Sequence, residues 1–148
     1  DDSQVHCMAP ADLEEPSRFI LGAREVLGGD KRLGIVPFEG EGAVVIESRR
    51  PVGWSEMWNS DRSGLLVYFV DTELEADRVD SFTQGGCGTS EEQKKWAYYL
   101  YKDGFAGDCR NWHEAFVRPS DTVTFRDITI TLVHSAESSD YVEVRSQG

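Results

Sequence analysis

The chain is short of positive charge. Among its 148 residues, 15 Lys and Arg stand against 27 Asp and Glu, for a formal net charge of −12. A surface of that sign repels phosphate backbones and anionic bilayers, so nucleic acid is not an expected partner. No apolar run approaches the roughly 18 to 20 residues that a spanning helix needs, and no membrane insertion is expected. Histidine is also scarce. His6, His113 and His134 are the three, and none has the H-E-x-x-H spacing that sets two ligands on one helix face. "WHEAF" offers His113 and Glu114 without a second histidine, which reads as a loop or packing segment. The G-x-S-x-G elbow, the P-loop and the G-x-G-x-x-G turn are absent too, and with them the chemistries those motifs serve.

Cysteine is limited to Cys7, Cys87 and Cys109. No C-x-x-C pair is present, which removes a cysteine-based zinc site. Cys87 in "TQGGCGTS" and Cys109 in "FAGDCRNW" both sit in glycine-containing, turn-like surroundings. A bond between them would close a loop of roughly 20 residues, worth about 3 kcal/mol in the chain-entropy model; three free thiols is the competing reading. Cys7 is then the odd cysteine, free or paired outside the segment. The chain opens "DDSQVHCMAPADLEEP", with no initiator methionine and no signal-peptide pattern. That opening reads as a mature or excised segment.

What the sequence does have is alternation. "RFILGAREV", "RLGIVPF", "AVVIESRR" and "GLLVYFVDT" are short apolar runs, separated by turn signals such as "GGD" and "EGEG" that suit hairpin loops. "DTVTF", "DITITLV" and "DYVEVR" repeat the style near the C-terminus. Within "DITITLV", Ile128, Ile130 and Leu132 fall on one face, and Thr129, Thr131 and Val133 on the other. One face is for a core and the other for water. The pattern predicts a single all-β domain over residues 1–148, an antiparallel β-sandwich of Greek-key or jelly-roll type.

Between residues 81 and 112 the alternation breaks. Ser90 and Gln93 have capping-box spacing, and Trp96, Tyr99 and Leu100 have helical spacing, which predicts a helix, although "WAYYLY" also has strand propensity. The region reads as a helix-containing insertion, tied by the disulfide if Cys87 and Cys109 are joined.

Three groups of residues are candidates for chemistry. In "AVVIESRR", Glu47 and Arg49 are same-face neighbours about 6.8 Å apart along the strand. They fit an ion pair at a sheet's end better than a ligand site. Asp71, Glu73, Glu75 and Asp77 alternate in "DTELEADRVD". No cofactor is expected, and a hard cation such as calcium, which wants several oxygen ligands, is the candidate this run raises. An extended strand would instead set them in one repelling row, and the glycine an EF-hand turn needs is missing. A solvated strand end is therefore the plainer reading. Lastly, Trp54, Trp58, Trp96, Tyr98, Tyr99 and Tyr101, with Trp112, would make a platform for a sugar ring or a protein surface. Core packing beneath loops is the alternative for each.

Three segments together, "DDSQVHC", then "AVVIESRR" with "SGLLVYFVDT", then "ITITLVHSAESSDYVEVR", resemble the region downstream of the catalytic domain in secreted bacterial zinc metallopeptidases of the immune-inhibitor-A type. In that family an acidic residue and an arginine close one strand, as Glu47 and Arg49 do here. A glycine then opens an apolar strand that ends in "VD", as Gly64 to Asp71 do. The resemblance covers most of residues 1–80 and 115–148. It implies a secreted, non-catalytic β-sandwich that packs on the protease domain or helps engage a protein or glycan surface. The family's zinc ligands and catalytic glutamate match nothing in this chain, so the resemblance carries over no catalytic residue. The family's cysteine before the strand-opening glycine is absent from "WNSDRSG", which leaves Cys7 without that partner.

Overall fold

The computed structural model describes residues 2–26, 31–51, 63–72, 97–107 and 112–148. Nine strands are assigned within them: β1 (Val5–Cys7), β2 (Ser17–Gly22), β3 (Leu33–Phe38), β4 (Gly42–Arg49), β5 (Gly64–Asp71), β6 (Ala97–Tyr99), β7 (Thr122–Phe125), β8 (Ile128–Ser135) and β9 (Ser139–Ser146). They build two sheets, one ordered β1-β3-β4-β5-β6 and the other β2-β9-β8-β7. Every pairing is antiparallel except β1 with β3. The second sheet is a β7-β8-β9 meander with β2 returning beside its last strand, the connection a Greek key requires. The expected all-β sandwich is what forms.

Side-chain parity decides which face of each strand meets the other sheet. Val44 and Ile46 of β4, and Leu65, Val67 and Phe69 of β5, point inward with Ile128, Ile130, Leu132, Val142 and Val144 of the opposing sheet. Ile128, Ile130 and Leu132 are fully buried while Val133 is 44% exposed, so the alternation read in "DITITLV" sets the faces. Gly34 has its own packing role. A Cβ there would lie 3.0 Å from Phe19 Cζ, and its absence lets the Phe19 ring sit beneath β3.

Two local expectations fail. β2 and β3 do not form the hairpin expected around "GGD", which itself lies outside the described residues, because the two strands belong to different sheets. Leu21 of β2 makes an isolated parallel bridge with Lys31, which precedes β3. Apolar alternation marks both as half-buried strands but does not say which sheet each joins; Phe19 and Leu21 are needed on the far side of the core from Val36 and Ile46. Likewise the helix expected through Tyr99 and Leu100 gives way to strand at Ala97–Tyr99, which hydrogen-bonds along β5. There the β propensity of "AYY" and an open sheet edge outweigh the helical spacing. The only helical turns among the described residues are short 3-10 turns, one of them Trp112–Ala115 carrying His113. "EGEG", by contrast, does close the β3–β4 hairpin, with Gly40 at φ 71° and Gly42 at φ 151°.

Candidate functional site

The outer face of the five-stranded sheet carries the polar cluster around Glu47. Parity puts Ala43, Val45, Glu47 and Arg49 of β4 on this face, and register sets Glu47 opposite Leu66 and Val45 opposite Tyr68. Glu47 is buried, at 3% exposure. Its Oε1 accepts from Arg49 Nη1 at 3.0 Å. Its Oε2 has two longer contacts, Arg24 Nη1 and the Tyr68 hydroxyl, each at 3.4 Å. Arg49 turns its Nε to Glu25 Oε1 at 2.5 Å, and Glu25 Oε2 accepts the Arg50 backbone N–H at 3.0 Å. Among the described residues, two carboxylates thus alternate with two guanidiniums.

The electrostatics follow from that arrangement. Burial pushes the Tyr68 hydroxyl up, and the adjacent Glu47 charge and hydrogen bond push it further, to about 12. Tyr99 is raised by burial and by the Glu47 charge. Burial works to raise the Glu25 carboxyl, but the Arg50 N–H and the Arg49 guanidinium hold it below its ordinary value. Burial also disfavours the Arg49 cation, and Glu25 and Glu47 outweigh it, so Arg49 stays charged.

Beside the cluster, Tyr68 and Tyr99 pair edge to face, with centroids 6.3 Å apart and planes at 80°. Tyr99 is 39% exposed. The other two tyrosines of the expected platform lie elsewhere. Tyr98 packs against the inner core, 5.7 Å from the Phe69 ring. Tyr101 stacks on Phe105 at 4.6 Å and joins Leu66, Ala115 and Phe116 in a smaller cluster. Strand alternation is the reason: Tyr98 and Tyr99 are adjacent and must face opposite ways. Trp54, Trp58 and Trp96 lie outside the described residues.

A second polar group joins the two sheets. Arg50 grips Asp140 with both terminal nitrogens, Nη2 to Oδ1 at 2.7 Å and Nη1 to Oδ2 at 3.0 Å. Ser48 and Ser135 hydroxyls each donate to Asp140 at 2.6 Å. The remaining guanidinium donors reach the carbonyls of Ala136, Glu137 and Ser139. Asp140 is fully buried and Arg50 is 7% exposed.

Of the acidic run, Asp71 is half-buried at the end of β5, and Glu73, Glu75 and Asp77 lie outside the described residues. Among those described, no group of three or more His, Cys, Asp or Glu is placed to hold a metal ion. Cys7 is an exposed free thiol on β1, while Cys87 and Cys109, the expected disulfide, lie outside the described residues.

Sequence reasoning singled out Glu47 and Arg49 but not Arg24, Glu25, Tyr68 or Asp140. Tyr68 reaches Glu47 through the β4–β5 register, which a long connection does not reveal. Arg24 and Glu25 arrive from just beyond β2, in the other sheet, and no spacing signals that approach. Neither a protein-family model, nor a curated protein, nor a solved structure matches the chain.

Proposed function

We propose that the chain is a non-catalytic accessory β-sandwich of a secreted zinc metallopeptidase of the immune-inhibitor-A type. In this reading it packs on the protease domain or helps that domain engage a substrate or surface. The observation that carries it is the direct ion pair between Glu47 and Arg49. The acid and arginine that carry the resemblance are engaged with each other and with Arg24 and Glu25, which is a structural use of charge. A general acid or base would instead need a carboxyl held in reach of a reacting group. The purified chain, supplied with zinc and a general protein substrate, is expected to cleave nothing. Zinc-dependent, chelator-sensitive cleavage by this chain would sink the proposal.

A second reading, an independent carbohydrate- or protein-binding module, is favoured by one feature: the exposed Tyr99 ring set edge to face against Tyr68. Saturable quenching of intrinsic fluorescence by a glycan or a protein partner is its expected signature.

A further inference from the structure

The polar cluster on the outer face of the five-stranded sheet has an unequal distribution of hydrogen bonds. Glu47 Oε1 has a short, charge-assisted partner in Arg49. Among the described residues, Glu47 Oε2 has two 3.4 Å contacts, from Arg24 and from the Tyr68 hydroxyl. Charge-assisted bonds to a carboxylate ordinarily close to about 2.7–2.9 Å, so this oxygen retains accepting capacity although its side chain is 4% exposed. The Arg24 side chain over it is 66% exposed. It therefore holds donors toward solvent while its position is fixed by the carboxylate.

We propose that Glu47 Oε2, the Arg24 guanidinium and the Tyr68–Tyr99 pair form a subsite for a neutral polyol, a hexose ring in particular. The inference rests on the binding-surface reading above and gives it a location. Each hydroxyl of a sugar is both donor and acceptor. A vicinal diol placed between Arg24 and Glu47 takes a hydrogen bond from the guanidinium and gives one to Oε2. The long Arg24 contact to Oε2 is thereby replaced by two shorter hydrogen bonds through the ligand. The half-exposed Tyr99 ring supplies the apolar flank that the C–H face of a sugar needs.

The test is a titration of the intact chain with glucose, galactose, mannose and N-acetylglucosamine at millimolar concentrations, followed by amide and tyrosine ring NMR. Shifts confined to Tyr68, Tyr99, Glu47 and Arg24 with at least one sugar are expected. Arg24→Ala and Tyr99→Ala, both at exposed side chains, should keep the wild-type amide spectrum elsewhere and weaken binding at least about tenfold, the loss of one good polar or stacking contact. Glu47→Gln, which keeps an acceptor but removes the charge, should weaken it by less than Glu47→Ala. Absence of shifts with all four sugars overturns the subsite, as do shifts that neither Arg24→Ala nor Tyr99→Ala changes. The accessory-domain reading survives either failure, because it requires no sugar, and is tested separately by the zinc-dependent cleavage assay.

Discussion

Arg50 and Asp140 form a two-pronged ion pair, at 2.7 and 3.0 Å, that bridges the end of β4 to the start of β9 and so ties one sheet to the other. Both side chains are buried, and Asp140 also accepts from the Ser48 and Ser135 hydroxyls. Removing one partner leaves a buried charge uncompensated, which costs about 3–5 kcal/mol. Arg50→Ala and Asp140→Ala are each expected to lower unfolding stability in urea by that amount. Arg50→Lys should recover little of it, since an ammonium cannot reproduce the forked donor set. A loss of under about 1 kcal/mol for either alanine variant would show that the clasp is not part of what holds the sheets together.

Two glycines on the central strands are required by contact as well as by conformation. Gly64 opens β5 at φ 130°, where an added Cβ would fall 2.2 Å from the Val117 carbonyl oxygen. Gly42 opens β4 at φ 151°, with the Val70 carbonyl oxygen 2.0 Å from the same point. Both approaches are to backbone and cannot be relieved by a rotamer. Gly64→Ala and Gly42→Ala should each destabilise the fold by clearly more than the roughly 1 kcal/mol at stake in a strain-free glycine–alanine exchange. Gly40→Ala, at φ 71° with nothing near its Cβ position, isolates the conformational cost alone. Thermal melts of the three variants check the ranking, and equal shifts would contradict it.

Strand boundaries were legible where alternation is strict. "DITITLV" put Ile128, Ile130 and Leu132 on the core face, and parity in "AVVIESRR" made Glu47 and Arg49 the same-face neighbours that form an ion pair. The partnership of strands was not legible. β2 lies beside β9, at the far end of the chain, and the sequence carries no register signal across that distance. The aromatic platform was over-read for a related reason: "AYY" is equally apolar on both faces, so composition cannot separate Tyr98, which packs inward, from Tyr99, which faces out. Asp140 looked like one more residue of a polar turn, in "SSDYV", because its partner Arg50 is ninety positions away.

Tyrosine titration probes the Glu47 cluster. Tyr68 has its hydroxyl pushed up to about 12, by burial first and then by Glu47. The folded state therefore holds this proton above the ordinary value of 10. Its stabilising contribution is complete below pH 10 and is lost as pH rises through about 12. In an absorbance titration of native protein, Tyr68 and Tyr99 should ionise above the ordinary tyrosine value of 10. Glu47→Gln should move the Tyr68 transition toward 10, because the charge that opposes ionisation is gone. An unchanged transition in that variant would separate Tyr68 from the carboxylate.

On the acid side the sensitive group is His6. Its Nε2 lies 3.0 Å from the Ser17 hydroxyl, and its ring packs against Phe19 with centroids 4.5 Å apart and planes tilted by 35°. Burial lowers its pKa from the ordinary 6.5, and Lys31 lowers it further. A depressed histidine favours the folded state when neutral. Stability is thus fully present above pH 6.5 and declines as pH falls through the folded value. His6→Gln should flatten that decline, seen as a smaller change in melting temperature between neutral and mildly acidic buffer. A decline of equal size in wild type and variant would assign the effect to other groups.

The central claim is that this sandwich serves a zinc metallopeptidase rather than acting as an enzyme itself. The sequence of the reading frame upstream of Asp1 tests it most directly. An H-E-x-x-H motif within a zinc-peptidase domain preceding Asp1 is the predicted result. A frame that carries no zinc-peptidase sequence would contradict it.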